Sequence, residues 1–218
     1  MRDFLRTWLF PPACVACEAP GPALCAACGP SAHDALTFPV GGIPAYALGR
    51  YEGAVRRAIV AMKNGERDIL DAFADLLAAR APLEGVLIPL PTTRGRILDR
   101  GFDQSVELAR RLAGLRGVPI AEVLEKRGAP QAGLNRRGRL GAAGRFRLRR
   151  GAAPPATATL LDDVCTTGAT VRDAARVLHG AGVDVRRIVV LARTVDPAPR
   201  PASAAPRKAE PNAAAAGR

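Results

Sequence analysis

Thirteen residues, Thr159-Leu-Leu-Asp-Asp-Val-Cys-Thr-Thr-Gly-Ala-Thr-Val171, constrain the fold of this chain more than any other stretch. From Thr157 to Leu161 the residues are β-branched or apolar, the pattern of a buried strand, and Val171 to His179 carries apolar residues at helical spacing. Cys165 to Thr170 is then a strand-to-helix turn, the repeating joint of a parallel α/β sheet. A helix start offers backbone N–H groups without helical partners and roughly half a positive charge, which suits an anion such as phosphate. Thr166, Thr167 and Thr170 add hydroxyls, Gly168 lets the backbone approach closely, and Cys165 and Ala169 complete the loop. Asp162 and Asp163 fall at the carboxyl end of the strand, where open parallel sheets bind ligands, and can accept hydrogen bonds from neighbouring hydroxyls such as those of a ribose. The plainer alternative is an ordinary crossover with a solvated acid pair and a threonine cap.

Two function classes are excluded by motif. No G-x-x-x-x-G-K-[ST] occurs, and no G-x-G-x-x-G lies between a strand and a helix, so neither a P-loop nucleotide site nor a dinucleotide fingerprint is present. A formal charge of +12 implies anionic partners. That charge is uneven: Lys126 to Arg150 holds nine Lys or Arg and no acid. Such a stretch fits substrate phosphates, a nucleic-acid backbone or a plain solubilising surface. With Phe146 its only aromatic residue, it makes a poor stacking platform for bases. No apolar run approaches the roughly 20 residues a membrane helix needs, so no membrane insertion is expected. Phe4, Leu5, Trp8 and Leu9 read as one face of a short amphipathic helix, and without an export signal the expected compartment is the cytoplasm.

Cys14-Val-Ala-Cys17 and Cys25-Ala-Ala-Cys28 form two C-x-x-C knuckles. Four thiolates close the coordination sphere of a tetrahedral zinc ion and leave no position for a catalytic water, so Cys14, Cys17, Cys25 and Cys28 predict a structural site. Zinc would hold together a segment too short to bury its own core. Two disulfides remain the alternative in an oxidising compartment. His33 could substitute as a ligand, although four thiolates suffice.

Between the knuckles and the Asp-Asp motif, residues 36 to 51 read as a hairpin around Val40-Gly-Gly-Ile43. Helices are expected over Gly53 to Met62 and Ile69 to Leu77. Lys63 ends the first of these, either as a cation completing the helix dipole or as a substrate contact. Gly85 to Pro91 reads as a short strand, Thr92 to Gly101 as an irregular basic loop, and Asp103 to Leu115 as a helix. Arg94, Arg96 and Arg100 give that loop the charge to hold a diphosphate, unless they are simply solvated. Strands are expected at Glu122 to Lys126, Phe146 to Leu148 and Val183 to Ala192, with a mobile segment over Arg127 to Arg145. Cys165 has no histidine near it in sequence, which argues against a nucleophile.

The motif of apolar residues, two acids and Thr-Thr-Gly-small-Thr resembles the signature of type I phosphoribosyltransferases, which bind 5-phosphoribosyl-1-pyrophosphate (PRPP). Over about residues 4 to 193 the chain is similar to the ComF family, competence-associated proteins with an N-terminal zinc-ribbon segment. The resemblance rests on the two knuckles, Met62-Lys-Asn-Gly-Glu66, Pro89-Leu-Pro-Thr-Thr-Arg94, Arg100-Gly-Phe-Asp-Gln-Ser105, Gln131 to Arg139 and the Asp-Asp motif. It implies an α/β class and a type I phosphoribosyltransferase fold, a central mainly parallel sheet flanked by helices, with a small zinc-ribbon or hood segment. Three parts follow: a helix and zinc ribbon over 1–35, a phosphoribosyltransferase-like domain over 36–195, and a disordered Pro/Ala-rich tail over 196–218.

By the same resemblance Asp162 and Asp163 hold the ribose hydroxyls and orient Mg²⁺, and Cys165 to Thr170 seat the 5-phosphate. Lys63, Arg94 and Arg100 would grip the pyrophosphate, and Arg127, Gln131, Arg136 and Arg137 would close over the ligand. The implied activity is Mg²⁺-dependent phosphoribosyl transfer to an unknown nitrogenous acceptor, linked to DNA uptake. The alternative is a non-catalytic competence accessory that binds single-stranded DNA or a DNA-uptake partner through its basic surface.

Overall fold

The chain enters its sheet through a hairpin whose turn is Gly41-Gly42, with β1 over Leu36–Val40 and β2 over Ile43–Arg50, paired antiparallel. The structure is a computed structural model that describes residues 12–127 and 144–195, without the side chains of Arg94, Asp99 and Arg100. The N-terminal helix expected around Trp8, the residues Gln131, Arg136 and Arg137, and the tail from Asp196 lie outside the described residues.

After β2 come α1 (Gly53–Lys63) and α2 (Arg67–Arg80), then β3 (Val86–Pro89), α3 (Arg94–Arg100) and α4 (Gln104–Arg116). The short strands β4 (Leu124–Lys126) and β5 (Phe146–Leu148) follow, then β6 (Thr157–Cys165), α5 (Ala169–His179) and β7 (Asp184–Arg193). The main sheet has the order β1-β2-β7-β6-β3, parallel everywhere except at β1. Among the described residues, β4 and β5 pair only with each other, antiparallel. The expected α/β class with a mainly parallel sheet is what the chain forms.

Alternation along the strands divides the core between the two sheet faces. On β6, Leu160 packs with Ile88, Phe146, Leu178 and Val190, the side covered by α5 and the β4–β5 pair. Leu161 packs with Ile59, Phe73, Leu108 and Leu112, the side covered by α1, α2 and α4. β6 and β7 are thus apolar on both faces, as a doubly covered parallel sheet requires. Each fully buried Leu or Ile here contributes about 1.5–3 kcal/mol by its removal from water. The cysteine segment docks on the α1–α2 side through Val15, Ala23 and Leu24, and Arg80 Nη1 donates to the Pro30 carbonyl at 2.6 Å.

Two expectations are corrected. The expected loop from Thr92 to Gly101 contains helix α3. Its end is set by Gly101, which has φ 81° and whose N–H donates to the Ile97 carbonyl at 2.7 Å. Leu98 is 85% exposed, so the helix has no apolar stripe that periodicity could detect. β6 also runs beyond Leu161 to Cys165, because Asp162, Val164 and Cys165 stay in register with Val190, Ala192 and Arg193 of β7. The acids therefore lie within the strand, and the turn proper is Thr166 to Gly168.

Candidate functional site

Asp162 and Asp163 sit where the parallel strands end, in a cleft of about 160 Å³ lined also by Lys63, Thr92, Arg96, Gln104, Ser105, Lys126 and Thr170. Adjacent residues on a strand point to opposite faces, so the two acids meet different layers. Asp163 Oδ2 pairs with Lys63 Nζ of α1 at 2.7 Å, both side chains about a quarter exposed (23% and 24%). The Asp163 N–H donates to Asp162 Oδ1 at 2.9 Å. Burial, then the neighbouring Asp163 charge, pushes the Asp162 carboxyl up to about 7, against smaller opposing pulls from the Asp163 N–H, Lys126 and Lys63. Water still touches Asp162, but the protein packed around it strips most of the solvation a carboxylate needs. Near neutral pH this group both carries and releases a proton.

Lys126 comes to the cleft from β4, stacked over the Phe146 ring at 5.6 Å. Burial pushes its pKa down, an effect partly opposed by Asp162. The other wall is built by the start of α4. Asp103 accepts from the Ser105 N–H at 3.1 Å and, through its second oxygen, from the Thr92 N–H at 2.8 Å. One carboxylate thus caps α4 and ties the Thr92 loop to it. Gln104 is buried, and its Nε2 donates to the Lys63 carbonyl at 3.0 Å, which fixes the helix end that carries the lysine.

Beyond Cys165 the chain turns through Thr166 and Thr167, both exposed, to Gly168, which has φ 72° and caps α5. A Cβ at Gly168 would lie 2.7 Å from Val40 Cγ1, so the turn needs glycine for both conformation and space. Arg172 Nη1 donates to the Thr167 carbonyl at 2.8 Å, and Arg145 Nη1 to Thr170 Oγ1 at 3.1 Å. The first turn of α5 has N–H groups without a partner within the helix, a start that can receive an anion; that of Ala169 points at Thr167 Oγ1 at 3.4 Å. Cys165 is 3% exposed and burial pushes its thiol pKa up, the opposite of an activated nucleophile.

The cleft brings together Lys63, Asp162, Asp163 and Thr170, and Cys165, Thr166, Thr167, Gly168 and Ala169 form the adjoining strand end and turn. Arg94 and Arg100 are at the two ends of α3, with side chains outside the described residues. Arg127 is exposed, and its N–H donates to the Arg145 carbonyl at 2.8 Å. The sequence reading missed Thr92, Gln104, Ser105 and Lys126 as cleft residues. Lys126 reads as one cation among the nine of the basic stretch, and Gln104 and Ser105 look like any helix start. A larger cleft of about 220 Å³ between α2 and α4 is lined by Arg67, Phe102, Arg110 and Arg111. Two of its cations are already paired, Arg111 with Asp71 at 3.1 Å and Arg110 with Glu107 at 2.9 Å, so it offers an anion less.

At the cysteine segment, the four Sγ atoms of Cys14, Cys17, Cys25 and Cys28 lie within 4.8 Å of one another. Cys17 and Cys25 are 3.7 Å apart, close to the edge of about 3.8 Å expected for a tetrahedron with 2.3 Å metal–sulfur arms. The Cys25 N–H points at Cys14 Sγ at 3.5 Å, and this contact first among several holds the Cys14 thiol near 6. Sharing a hydrogen bond with Cys17 pushes Cys28 up to about 12. All five cysteines are free thiols, so the disulfide alternative is not what the fold adopts. The donor set fits a soft tetrahedral cation such as zinc.

Comparison with known proteins gives no matching family model. The chain is similar to "Competence protein ComFC" of Streptococcus pneumoniae, 34% identical over 95 residues, which is 44% of this chain and 42% of that protein. The chain thus matches less than half the length of this curated relative. The resemblance to ComF proteins read from the motifs is met by that match. Solved structures similar to it include adenine phosphoribosyltransferase from Leishmania tarentolae, at 14% identity over 62% of this chain and 74% of that one, with a TM-score of 0.39. Orotate phosphoribosyltransferase from Aeropyrum pernix is 18% identical over 74% of this chain and 76% of that one, also with a TM-score of 0.39. No described helix is long and apolar enough to cross a membrane.

Proposed function

We propose that this chain binds PRPP together with Mg²⁺ and transfers the phosphoribosyl group to a nitrogenous acceptor, in a role connected with DNA uptake. The carrying observation is one continuous cleft. It joins two adjacent carboxylates at a strand end, Thr170 in the first turn of the glycine-capped helix α5, and the cations Lys63, Arg96 and Lys126. PRPP has the complementary order of groups, a monophosphate, a diol and a diphosphate.

In this reading the turn from Thr166 to Thr170 takes the 5-phosphate. Asp163, held in place by Lys63, and Asp162 accept the two ribose hydroxyls. Lys63, Arg96 and Lys126 face the diphosphate, with Arg94 and Arg100 placed on the same short helix as Arg96. The carboxylates at the floor stabilise positive charge as it develops on the sugar, and the fixed cations stabilise the departing pyrophosphate. Two acids offering only oxygen ligands fit Mg²⁺, which keeps several waters and takes one or two carboxylates plus substrate phosphates. When bound it would neutralise charge on the leaving group. Asp162, with its carboxyl near 7, sheds its proton when cationic charge enters the cleft. Zinc at the four cysteines has a structural part only, bracing the segment that docks on α1 and α2.

Calorimetric titration of zinc-replete protein with PRPP tests this, with and without Mg²⁺ and with the double variant Asp162→Asn/Asp163→Asn. Saturable heat that needs Mg²⁺ and vanishes in the variant is expected. No heat at millimolar PRPP with Mg²⁺ would sink the reading. Pyrophosphate release across a panel of bases and amines then identifies the acceptor.

A further inference from the structure

Arg145 stands beside the turn that seats the 5-phosphate in the proposed function, yet it comes from a different part of the fold. It immediately precedes β5, and its backbone is fixed from two sides. Its carbonyl accepts the Arg127 N–H at 2.8 Å, and the next N–H, that of Phe146, donates to Asp173 Oδ2 of α5 at 3.1 Å. Asp173 is itself held by Arg176 at 2.8 Å. The start of β5 is thereby fastened to the first half of α5, which puts the Arg145 side chain over the helix start.

There Arg145 Nη1 donates to Thr170 Oγ1 at 3.1 Å. A threonine hydroxyl has one proton and two lone pairs. Because Thr170 accepts from the guanidinium, its own proton is left to donate to another acceptor, and Thr170 lines the cleft. The guanidinium has five N–H donors in a planar fork, of which this contact uses one, and the side chain is otherwise exposed. Arg145 is also close enough to Lys126 to add to the downward pull on that lysine. The other guanidinium at the turn, Arg172, donates to the Thr167 backbone carbonyl, whereas Arg145 donates to a hydroxyl that lines the cleft. A free planar fork beside an oriented hydroxyl at a helix start matches the oxygens of a phosphate monoester.

We infer that Arg145 is a further phosphate-binding residue, whose guanidinium, with the Thr170 hydroxyl it orients, grips the monophosphate of a sugar phosphate seated at Thr166–Thr170. This rests on the reading of that turn as a monophosphate cradle. It makes the β4–β5 pair part of the binding site as well as part of the core.

The test uses full-length, zinc-replete protein and calorimetric binding of two probes, ribose 5-phosphate and inorganic pyrophosphate. Arg145→Met keeps the aliphatic stem and removes the donors, while Arg145→Lys keeps the charge without the fork. In Arg145→Met, ribose 5-phosphate affinity should fall about tenfold, the scale of one hydrogen bond to a charged group, with pyrophosphate affinity changing less than about twofold. Arg145→Lys should recover part of the loss, which a fold defect would not. Wild-type affinity for ribose 5-phosphate in Arg145→Met overturns the inference, as does an equal loss of both probes with no recovery in Arg145→Lys. If the wild-type protein binds PRPP but not ribose 5-phosphate, the inference fails while the broader function stands. If it binds none of the three, the cradle reading itself fails and the inference with it.

Discussion

Replacing Asp162 with asparagine should stabilise the folded protein, and by more at pH 8 than at pH 5. The folded-state carboxyl is raised from 3.8 to about 7 by burial and by its like-charged neighbour. A raised carboxyl means that the folded chain keeps a proton the unfolded chain has lost, so stability falls as pH rises between the two values and is flat above the upper one. From pH 5 to pH 7 the unfolded carboxyl is almost wholly ionised and the folded one mostly protonated. At about 1.36 kcal/mol per unit, this interval costs the wild-type protein on the order of 3 kcal/mol at most. Water at the cleft screens part of the penalty, which leaves an effect on the order of 1–3 kcal/mol. Asparagine pays none of this, and its side-chain oxygen can still accept the Asp163 N–H now bonded to Asp162 Oδ1 at 2.9 Å. Urea unfolding of both proteins at pH 5 and pH 8 isolates the difference, since the other titrating groups are common to the pair. A stability gap that stays constant with pH, or an asparagine variant that becomes relatively less stable at pH 8, would show that Asp162 is not held protonated by its burial.

Three further outcomes follow from the same geometry. Lys63→Met should change stability by no more than about 1 kcal/mol, because its ion pair with Asp163 is partly exposed, while raising the Asp162 midpoint measured by NMR titration. A lowered midpoint would contradict the electrostatic picture. Gly168→Ala should cost about 1–3 kcal/mol in thermal or urea unfolding, because φ is 72° and the new Cβ falls 2.7 Å from Val40 Cγ1; an unchanged midpoint would mean the turn is not held as described. Native mass spectrometry should find one zinc ion per chain, and chelation should lower the thermal midpoint and expose four thiols to modification, with Cys165 reacting only on unfolding. Metal-free native protein with all four thiols already reactive would contradict the site.

The sequence was most legible where one short signal set both local structure and chemistry. The Asp-Asp-Val-Cys-Thr-Thr-Gly-Ala-Thr run predicted a strand, a turn and a helix start, and the four cysteines predicted a cluster whose sulfurs do converge. The end of β6 was harder to place, because Asp162 and Asp163 look like turn residues and only their pairing with β7 keeps them extended. Helix α3 was invisible because it is set by its ends and exposes Leu98, so it carries no amphipathic period. Lys126, Gln104 and Ser105 enter the cleft through long-range packing of β4 and α4 against β6, which no local pattern encodes. The same holds for Arg145, whose place over Thr170 depends on Asp173 holding the start of β5.

A crystal structure of the protein with PRPP and Mg²⁺ would locate each part of the ligand in the cleft. The 5-phosphate is expected on the backbone N–H groups and hydroxyls of Thr166 to Thr170, the ribose hydroxyls on Asp162 and Asp163, and the diphosphate towards Lys63 and Arg96. Ligand density elsewhere, such as in the cleft between α2 and α4, or a ligand running in the opposite direction, would contradict it.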